Sequence, residues 1–407
     1  MRARAATVVV AAVLFTCGPV AEIQPVAGEP PLVLISIDGF RWDYLDLFDA
    51  PHLRELAATG ARAERLVPVF PTKTFPNHYS AVTGLYPRHH GIVANIMSDP
   101  GLGRFSLRDR DAVEDGRWWQ GEPIWVTAER QGVRAATCFW PGSEAEIHGV
   151  RPTHWMRYDR DFPTEARVEK VFEWLDLPAQ RRPGFMTLYF SDVDSAAHRT
   201  GPTSDETRTA VARVDRAIGT LLDGLRDRAV LDEMHLLVVS DHGMTDTPAG
   251  QAVYLEDYID LTGIEVSGDT PTVFLSPPPE REAAVLQALN EAHPQLRGVR
   301  SAETPATWQF RDHPRIPAII AMTPEGWHVR AQRRPSGDEP LGMHGYDPAL
   351  QSMHGSLIAH GPQIASGKKV GPVRMIDLYE LMCHLLSLKP APNDGDLSGV
   401  RGLLRSR

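Results

Sequence analysis

The chain has 407 residues, of which 42% are hydrophobic and 23% charged. This composition is typical of a globular protein and excludes a fibrous or largely disordered chain. The formal net charge of −10 argues against a surface that coats nucleic acid, since phosphate backbones require a basic face. Small phosphate substrates remain possible, because bound cations can reverse the charge of a local site.

The N-terminus has the pattern of an export signal. Two arginines precede an apolar stretch, residues 5–15, which small residues follow. The stretch is shorter than the ~20 apolar residues of a membrane span, so we expect no stable span. We expect residues 1–27 to be a signal peptide with a short leader, and the protein to be periplasmic or secreted. An N-terminal membrane anchor, or a lipid anchor at Cys17, is the alternative.

Strand-like and helix-like segments alternate along the chain. Apolar runs predict buried strands at 31–37, 133–139, 185–191, 235–240, 316–322 and 356–359. Helical patterns predict helices at 51–59, 121–131, 164–175, 205–226, 280–292 and 375–387. This alternation predicts an α/β fold with a mostly parallel central sheet and helices on both faces. Cys138 and Cys383 lie in apolar contexts, which favours buried free thiols over a disulfide.

Acids and histidines follow several of these strands. In open α/β sheets, ligands bind outside the carboxyl ends of the strands, so side chains placed there can converge on one site. Six such ligands suffice for two metal ions, which is typical of a hydrolase. Because they span most of the chain, we expect residues 28–407 to form a single catalytic domain. The candidate ligands are Asp38, Asp194, His198, Asp241, His242 and His344.

A polar segment bounded by prolines, residues 71–79, offers a nucleophile. Thr72 and Thr74 lie near the expected start of a helix, where the helix dipole favours an anion. A threonine hydroxyl is a weak nucleophile unless a base or a metal activates it. Either threonine could be a simple helix cap, but beside the candidate ligands the hydroxyl has an activator.

Seven short motifs, spread from about residue 31 to about residue 387, carry a family resemblance. They are Ile37-Asp38-Gly39-Phe40-Arg41; Thr72-Lys73-Thr74-Phe75-Pro76-Asn77-His78-Tyr79; Thr83-Gly84-Leu85-Tyr86-Pro87 with His90-Gly91-Ile92 and Asn95; Phe139-Trp140-Pro141-Gly142-Ser143; Asp194-Ser195-x-x-His198 with Gly201-Pro202; Ser240-Asp241-His242-Gly243-Met244; and His344-Gly345-Tyr346-Asp347. In this order they resemble the nucleotide pyrophosphatase/phosphodiesterase family of the alkaline phosphatase superfamily. The sulfatase relatives are disfavoured, because the chain has no Cys-x-Pro-x-Arg or Ser-x-Pro-x-Arg motif.

The resemblance implies an alkaline-phosphatase-like fold with two zinc ions per chain. Thr74 would be the nucleophile that bridges the ions and forms a covalent intermediate. Carboxylate and imidazole ligands suit zinc without excluding manganese, cobalt or iron. The implied ligand sets are Asp194 with His198 and His344, and Asp38 with Asp241 and His242.

The family pattern also selects between neighbouring candidates. It favours Asp194 over Asp192, two residues earlier. His354 competes with His344, ten residues earlier, but His354 introduces a strand-like run, which indicates a structural role. Three histidines near Thr74 are assigned to turns and packing: His78, His89 and His90.

The implied activity is hydrolysis of nucleotide phosphodiesters and nucleoside polyphosphates to nucleoside monophosphates. Asn95 matches a family residue that donates a hydrogen bond to a phosphate oxygen. A neutral amide there suits a singly charged diester better than a dianionic monoester. Phe75 and Tyr158 resemble the aromatic pair that clamps the base, and Tyr189 resembles another pocket aromatic. The alternative role of all three is packing.

Two other functions compete with this one. A phosphodiesterase of the same fold could act on glycerophosphocholine or lysophospholipid headgroups. An aromatic and acidic cage for a quaternary ammonium would mark that class, and the sequence reveals none. A catalytically silent binding protein is disfavoured because the nucleophile and all six ligands are present together. In either enzyme the partner is a small molecule, and no protein partner can be inferred.

Overall fold

The computed structural model describes residues 29–333 and 339–406. The expected signal peptide, residues 1–27, and Cys17 lie outside the described residues. Both remaining cysteines are free and buried, as predicted. Within the described ranges, no helix combines the length and the apolar composition needed to cross a membrane.

The elements are numbered in chain order. The strands are β1 Leu32–Ile37, β2 Ala61–Ala63, β3 Leu66–Val67, β4 Ile96–Asp99, β5 Gly103–Ser106, β6 Ala135–Cys138, β7 His154–Trp155, β8 Phe185–Phe190, β9 His235–Val239, β10 Thr245–Asp246, β11 Ala252–Tyr254, β12 Glu265–Asp269, β13 Thr272–Ser276, β14 Arg297–Arg300, β15 Ile319–Met322, β16 His328–Arg330, β17 Gly342–Met343, β18 Leu357–His360, β19 Lys368–Val370 and β20 Val373–Arg374. The helices are α1 Tyr44–Leu47, α2 Pro51–Thr59, α3 Thr74–Thr83, α4 Pro87–His90, α5 Arg110–Glu114, α6 Ile124–Arg130, α7 Thr164–Leu175, α8 Asp192–Thr200, α9 Asp205–Asp227, α10 Pro279–Ala292 and α11 Leu378–Leu385.

A mostly parallel sheet forms the centre of the fold, as predicted. Its strand order is β19-β2-β18-β9-β1-β8-β6-β7. Only β18 runs against its neighbours, β9 and β2. Every residue of β1 is buried, because the strand lies between β8 and β9 and both of its faces are covered.

Helices cover both faces of this sheet. Alternate β1 side chains enter two separate hydrophobic clusters, Leu32 and Leu34 on one face and Val33 and Ile35 on the other. Helices α3, α6 and α11 contribute to the first cluster. Helices α2, α7 and α9 contribute to the second. The alternation follows from the two-residue period of a strand.

A smaller antiparallel sheet requires one correction. The predicted strand at 316–322 forms β15, but β15 lies in a separate sheet of order β12-β13-β15-β14. This sheet and α10 have their own cluster, which includes Val273, Leu289 and Ile319. A buried apolar run has the same pattern in either sheet, so the sequence could not assign its partner strands.

Candidate active site

The central strands bring three acids to one edge of the sheet. In the pairing register, Ile37 at the end of β1 lies beside Phe190 at the end of β8, and Ser36 lies beside Val239 of β9. Asp38, Asp194 and Asp241 follow these strand ends, so parallel pairing places them together. The backbone N–H of Asp194 donates to the carbonyl of Asp38 at 3.1 Å.

Gly39 makes this close approach possible. Its φ is +69°, and a Cβ atom there would lie 3.1 Å from both Cα and Cβ of Asp194. Only glycine adopts this backbone conformation readily and also leaves room for the neighbouring acid. The N–H of Gly39 donates to Oδ1 of Asp241 at 3.2 Å. Gly39 therefore follows one acid in the chain, packs against the second and donates a hydrogen bond to the third.

Asp194, His198 and His344 form the first ligand group. Nε2 of His198 lies 3.3 Å from Oδ1 of Asp194 and 3.2 Å from Nε2 of His344. Each imidazole is held through Nδ1, which donates to the carbonyl of Gly342 in one case and of Thr72 in the other. Donation from Nδ1 leaves the Nε2 lone pair free to bind a cation.

Asp38, Asp241 and His242 form the second group. Nε2 of His242 lies 3.0 Å from Oδ2 of Asp241 and 3.4 Å from Oδ1 of Asp38. Nδ1 of His242 donates to the carbonyl of Gly243 at 2.9 Å, which again turns Nε2 toward the acids. The rings of His242 and His344 stack with centroids 3.5 Å apart, so the two groups are contiguous.

The buried carboxylates fit cations. One oxygen of each acid, namely Oδ1 of Asp38, Oδ1 of Asp194 and Oδ2 of Asp241, accepts no hydrogen bond within the described ranges. Burial, together with repulsion from Asp241 and Asp194, raises the pKa of Asp38 well above its usual value. Buried acceptors that repel one another and lack donors are the environment that a positive ion stabilises. The carboxylate and imidazole donors suit zinc or a related divalent metal.

Thr74 is the first residue of α3, and its Oγ1 lies 3.4 Å from Nε2 of His242. The hydroxyl therefore points at the second ligand group from the positive end of a helix. Thr72 has a different environment. Its hydroxyl donates to the carbonyl of Tyr346 and accepts from the N–H of Gly345, so it fixes the segment that carries His344.

A cavity of about 590 Å³ opens beside the nucleophile, and Phe75, Asn95, Tyr158 and Tyr189 all line it. Oδ1 of Asn95 accepts from the N–H of Phe75 at 3.0 Å, which leaves the Nδ2 group of Asn95 to donate to a ligand. The Tyr158 ring packs edge-on against Phe139 with centroids 5.2 Å apart. Tyr189 lines the wall, and its hydroxyl donates to Oδ2 of Asp38 at 2.6 Å.

The rejected competitors lie outside the two ligand groups. Asp192 accepts from the Thr164 hydroxyl at 3.1 Å and faces a neighbouring cavity. Nε2 of His354 donates to the carbonyl of Pro348. His90 contacts the Ser80 hydroxyl, and burial lowers the pKa of His90 to about 3.

His78, which the sequence assigned to turns and packing, contacts residues of the active site. Its Nδ1 lies 2.9 Å from the carbonyl of Thr74 and 3.3 Å from Oδ2 of Asp241, and its Nε2 contacts the Ser36 hydroxyl at 2.7 Å. Both ring nitrogens are thus engaged with groups that hold the nucleophile and one acid. This arrangement suits an orienting residue better than a ligand.

Two further polar groups line the cavity and were not singled out in the sequence. Lys73 is buried; its Nζ donates to the carbonyl of Thr270 and lies 3.4 Å from Oδ1 of Asp269. Burial lowers the pKa of Lys73. Arg110 forms an ion pair with the buried Glu144. The position of Lys73 next to Thr74 was a signal, but its partners lie about 200 residues away and could not be inferred.

Comparisons with known proteins show to which family the chain is related. The family model described as type I phosphodiesterase / nucleotide pyrophosphatase matches residues 32–347. Human ectonucleotide pyrophosphatase/phosphodiesterase family member 5 is 35% identical over 386 residues, which are 95% of this chain and 80% of the relative. Mouse family member 1 is 37% identical over 93% of this chain but only 43% of its own length. A venom phosphodiesterase of Crotalus durissus collilineatus is 37% identical over 93% of this chain and 47% of its own. The chain thus spans less than half of these longer relatives.

Solved structures of family member 5 have the same fold as this chain. Human family member 5 superposes with a TM-score of 0.88 at 36% identity, covering 92% of this chain and 100% of that one. The mouse counterpart, an inactive threonine-to-alanine variant in complex with AMP, also has a TM-score of 0.88. It is 35% identical and covers 93% of this chain and 100% of its own.

Proposed function

Because the chain belongs to the type I phosphodiesterase/nucleotide pyrophosphatase family, we propose that it hydrolyses nucleotide phosphodiesters and nucleoside polyphosphates to nucleoside monophosphates through a covalent Thr74 intermediate. One observation carries the proposal. The Thr74 hydroxyl lies beside two contiguous groups of buried and half-buried acids and imidazoles, at the wall of an aromatic cavity.

We assign the ligand groups to two zinc ions. Zinc bound there would supply Lewis acidity, which polarises the phosphoryl oxygens and favours the ionised Thr74 hydroxyl. The assigned ligands are Asp194, His198 and His344 for one ion, and Asp38, Asp241 and His242 for the other.

The chain's own residues then perform a double displacement. Thr74 Oγ1 attacks phosphorus, the bond to the leaving oxygen breaks, and a nucleotidyl–threonine ester forms. A water molecule next cleaves this ester, which releases the nucleoside monophosphate and returns the proton to the Thr74 hydroxyl. His78 holds the carbonyl of Thr74, and Asn95 Nδ2 donates to a non-bridging phosphate oxygen. A neutral amide at this position favours a diester over a monoester.

Phe75 and Tyr158 are assigned to the base. Both line the cavity, which has room for a nucleotide. Stacking on aromatic rings tolerates different bases, so we propose broad base recognition. AMP in the complex of the mouse relative supports a nucleotide as the ligand.

A choline headgroup is less well matched. Arg110 lies 6.0 Å from the centroid of the Tyr158 ring and neutralises Glu144, an acid of the cavity lining, through an ion pair. A quaternary ammonium needs an aromatic cage that has no competing cation. The glycerophosphocholine alternative is therefore not favoured.

We also propose that the protein is exported and that residues 28–407 act as one catalytic domain. The signal-like pattern of residues 1–27 supports export, as do the venom and ectonucleotidase names of the relatives.

The test compares two p-nitrophenyl substrates, the ester of thymidine monophosphate and p-nitrophenyl phosphorylcholine. We expect the wild type to prefer the thymidine ester.

Thr74→Ala should lose nearly all turnover with its fold intact, and Thr74→Ser should keep a measurable fraction. Metal analysis should find two zinc ions per chain, and chelation should abolish activity. Preference for the choline ester, near wild-type turnover by Thr74→Ala, or full activity with less than one ion per chain would each contradict the proposal.

A further inference from the structure

A second cavity adjoins the one that holds the candidate ligands. Its volume is about 900 Å³. Four residues line both cavities and therefore mark the passage between them: Arg160, Ser191, Ser195 and Arg199. Two of the four carry a permanent positive charge.

The two arginines of the passage are free to bind a ligand. Within residues 29–333 and 339–406, neither Arg160 nor Arg199 forms an ion pair or a side-chain hydrogen bond. Nearby arginines are engaged: Arg167 donates to the carbonyls of Phe162 and Tyr189, and Arg213 lies 3.5 Å from Asp192. Arg160 and Arg199 thus differ from their neighbours in having unused guanidinium donors.

The passage lies on the side from which a leaving group would depart. Thr74 approaches from the group that contains His242. Entering and leaving oxygens lie roughly opposite each other in an in-line displacement, and in the two-ion assignment proposed above the other ligand group would stabilise the leaving oxygen. That group contains His198, and Arg199 is the next residue of α8.

The charges that line the second cavity limit the length of an anionic ligand. Beyond Arg160 and Arg199, five carboxylates outnumber two further arginines, Arg167 and Arg213; the carboxylates are Asp161, Glu165, Asp192, Asp205 and Glu206. A long polyanion that continued along it would be repelled, whereas one or two phosphate groups could stop at the arginines. The charges therefore favour a short phosphorylated group over a nucleic-acid strand.

We propose that Arg160 and Arg199 bind the phosphate groups of the leaving group and so favour pyrophosphate bonds over esters of uncharged alcohols. The inference rests on the proposed function and deepens it. A guanidinium binds phosphate through paired, charge-assisted hydrogen bonds, which makes it specific for the part of the substrate that carries this charge. Both side chains are exposed, so the preference decreases as salt rises.

The kinetic test uses two substrates with the same base, TTP and the p-nitrophenyl ester of TMP. Only TTP has a phosphorylated leaving group. In Arg160→Gln and Arg199→Gln, the ratio of kcat/KM for TTP to kcat/KM for the ester should fall at least tenfold. Arg213→Gln is the matched control, since Arg213 lines the second cavity but not the first and pairs with Asp192; its ratio should stay within twofold of wild type.

A binding test separates this proposal from the proposed function. In the Thr74→Ala background, calorimetry measures the Kd of two ligands, α,β-methylene-TTP and TMP. Arg160→Gln and Arg199→Gln should each raise the Kd of α,β-methylene-TTP at least tenfold more than the Kd of TMP. An unchanged ratio in both tests, or equal losses for both ligands, would overturn the role of the arginines. If the wild type hydrolysed neither substrate, the proposed function would fail, while the binding comparison would still decide on the arginines.

Discussion

At the level of single residues, we propose that base recognition depends on Tyr158. Its ring lines the cavity and packs against Phe139. We expect Tyr158→Ala to lower kcat/KM for nucleotide substrates about 10- to 100-fold, because a stacking contact contributes ~1–3 kcal/mol. Bis-p-nitrophenyl phosphate, which has no base, should be affected much less. Parallel kinetics on both substrates check this, and equal losses would show that Tyr158 supports the fold or the ligand groups instead.

Tyr189 is expected to act through Asp38. Its hydroxyl donates to Oδ2 of Asp38, while Oδ1 of that acid lacks a donor. Removing a group that orients a metal ligand typically weakens metal affinity 10- to 100-fold. Tyr189→Phe should therefore weaken zinc binding by about this factor in competition with a chelator. Tyr379→Phe is the matched control, because that buried hydroxyl contacts Thr127. Unchanged zinc affinity in Tyr189→Phe would contradict the role.

At the level of the elements, helix α2 depends on a cap supplied by another helix. It begins at Pro51 without a side-chain cap of its own. Asp215 of α9 accepts from the N–H groups of Leu53 at 2.9 Å and His52 at 3.3 Å. We expect Asp215→Ala to lower the free energy of unfolding by about 1–3 kcal/mol, because a buried and a partly buried N–H donor lose their acceptor.

Chemical denaturation measures this loss. Asp215→Asn keeps an acceptor oxygen, so its free energy of unfolding should fall less than that of Asp215→Ala. The control is Asp223→Ala on the same helix, whose side chain is 71% exposed and pairs with Arg226; it should change stability by less than about 0.5 kcal/mol. An Asp215→Ala protein as stable as this control would show that the cap contributes nothing.

The sequence predicted elements better than it predicted their partners. Buried runs such as 31–37 and 235–240 are strands, because strands covered on both faces are apolar throughout. The three acids could be expected to converge because parallel strands end at one edge. Strand β15 was assigned to the wrong sheet, and the partners of Lys73 were missed. The pairing of β15 and the partners of Lys73 both depend on the smaller sheet, because β15 pairs with β13 and β14, and Lys73 contacts Asp269 and Thr270 at the end of β12. Strands β12 to β14 were not predicted.

For the whole molecule, a buried histidine predicts how stability depends on pH. His235 at the start of β9 is fully buried, and neither ring nitrogen has a hydrogen-bond partner within the described part of the chain. Burial lowers the pKa of His235 to about 4, with repulsion from His360 and His384. In the unfolded chain the pKa of His235 is near 6.5, so between pH 6.5 and 4 the unfolded state binds more protons than the folded state. Folding therefore becomes less favourable as pH falls through this window.

His235→Phe removes this proton linkage. Between pH 6.5 and 4, the slope of the unfolding free energy against pH should decrease by up to about 1.4 kcal/mol per pH unit relative to wild type. Above pH 7 the two slopes should coincide, which serves as the internal control. Denaturation at a series of pH values measures both. Parallel curves throughout the acid range would mean that His235 is not held neutral by the fold.

The stereochemistry at phosphorus tests the proposed Thr74 mechanism most directly. The enzyme would hydrolyse a nucleotide whose α-phosphorus is chiral through a sulfur substituent, in water enriched in oxygen-18. Two in-line displacements, first by Thr74 and then by water, each invert the phosphorus centre and together predict retention of configuration. Net inversion would contradict the covalent Thr74 intermediate, because it would require a single direct attack by water.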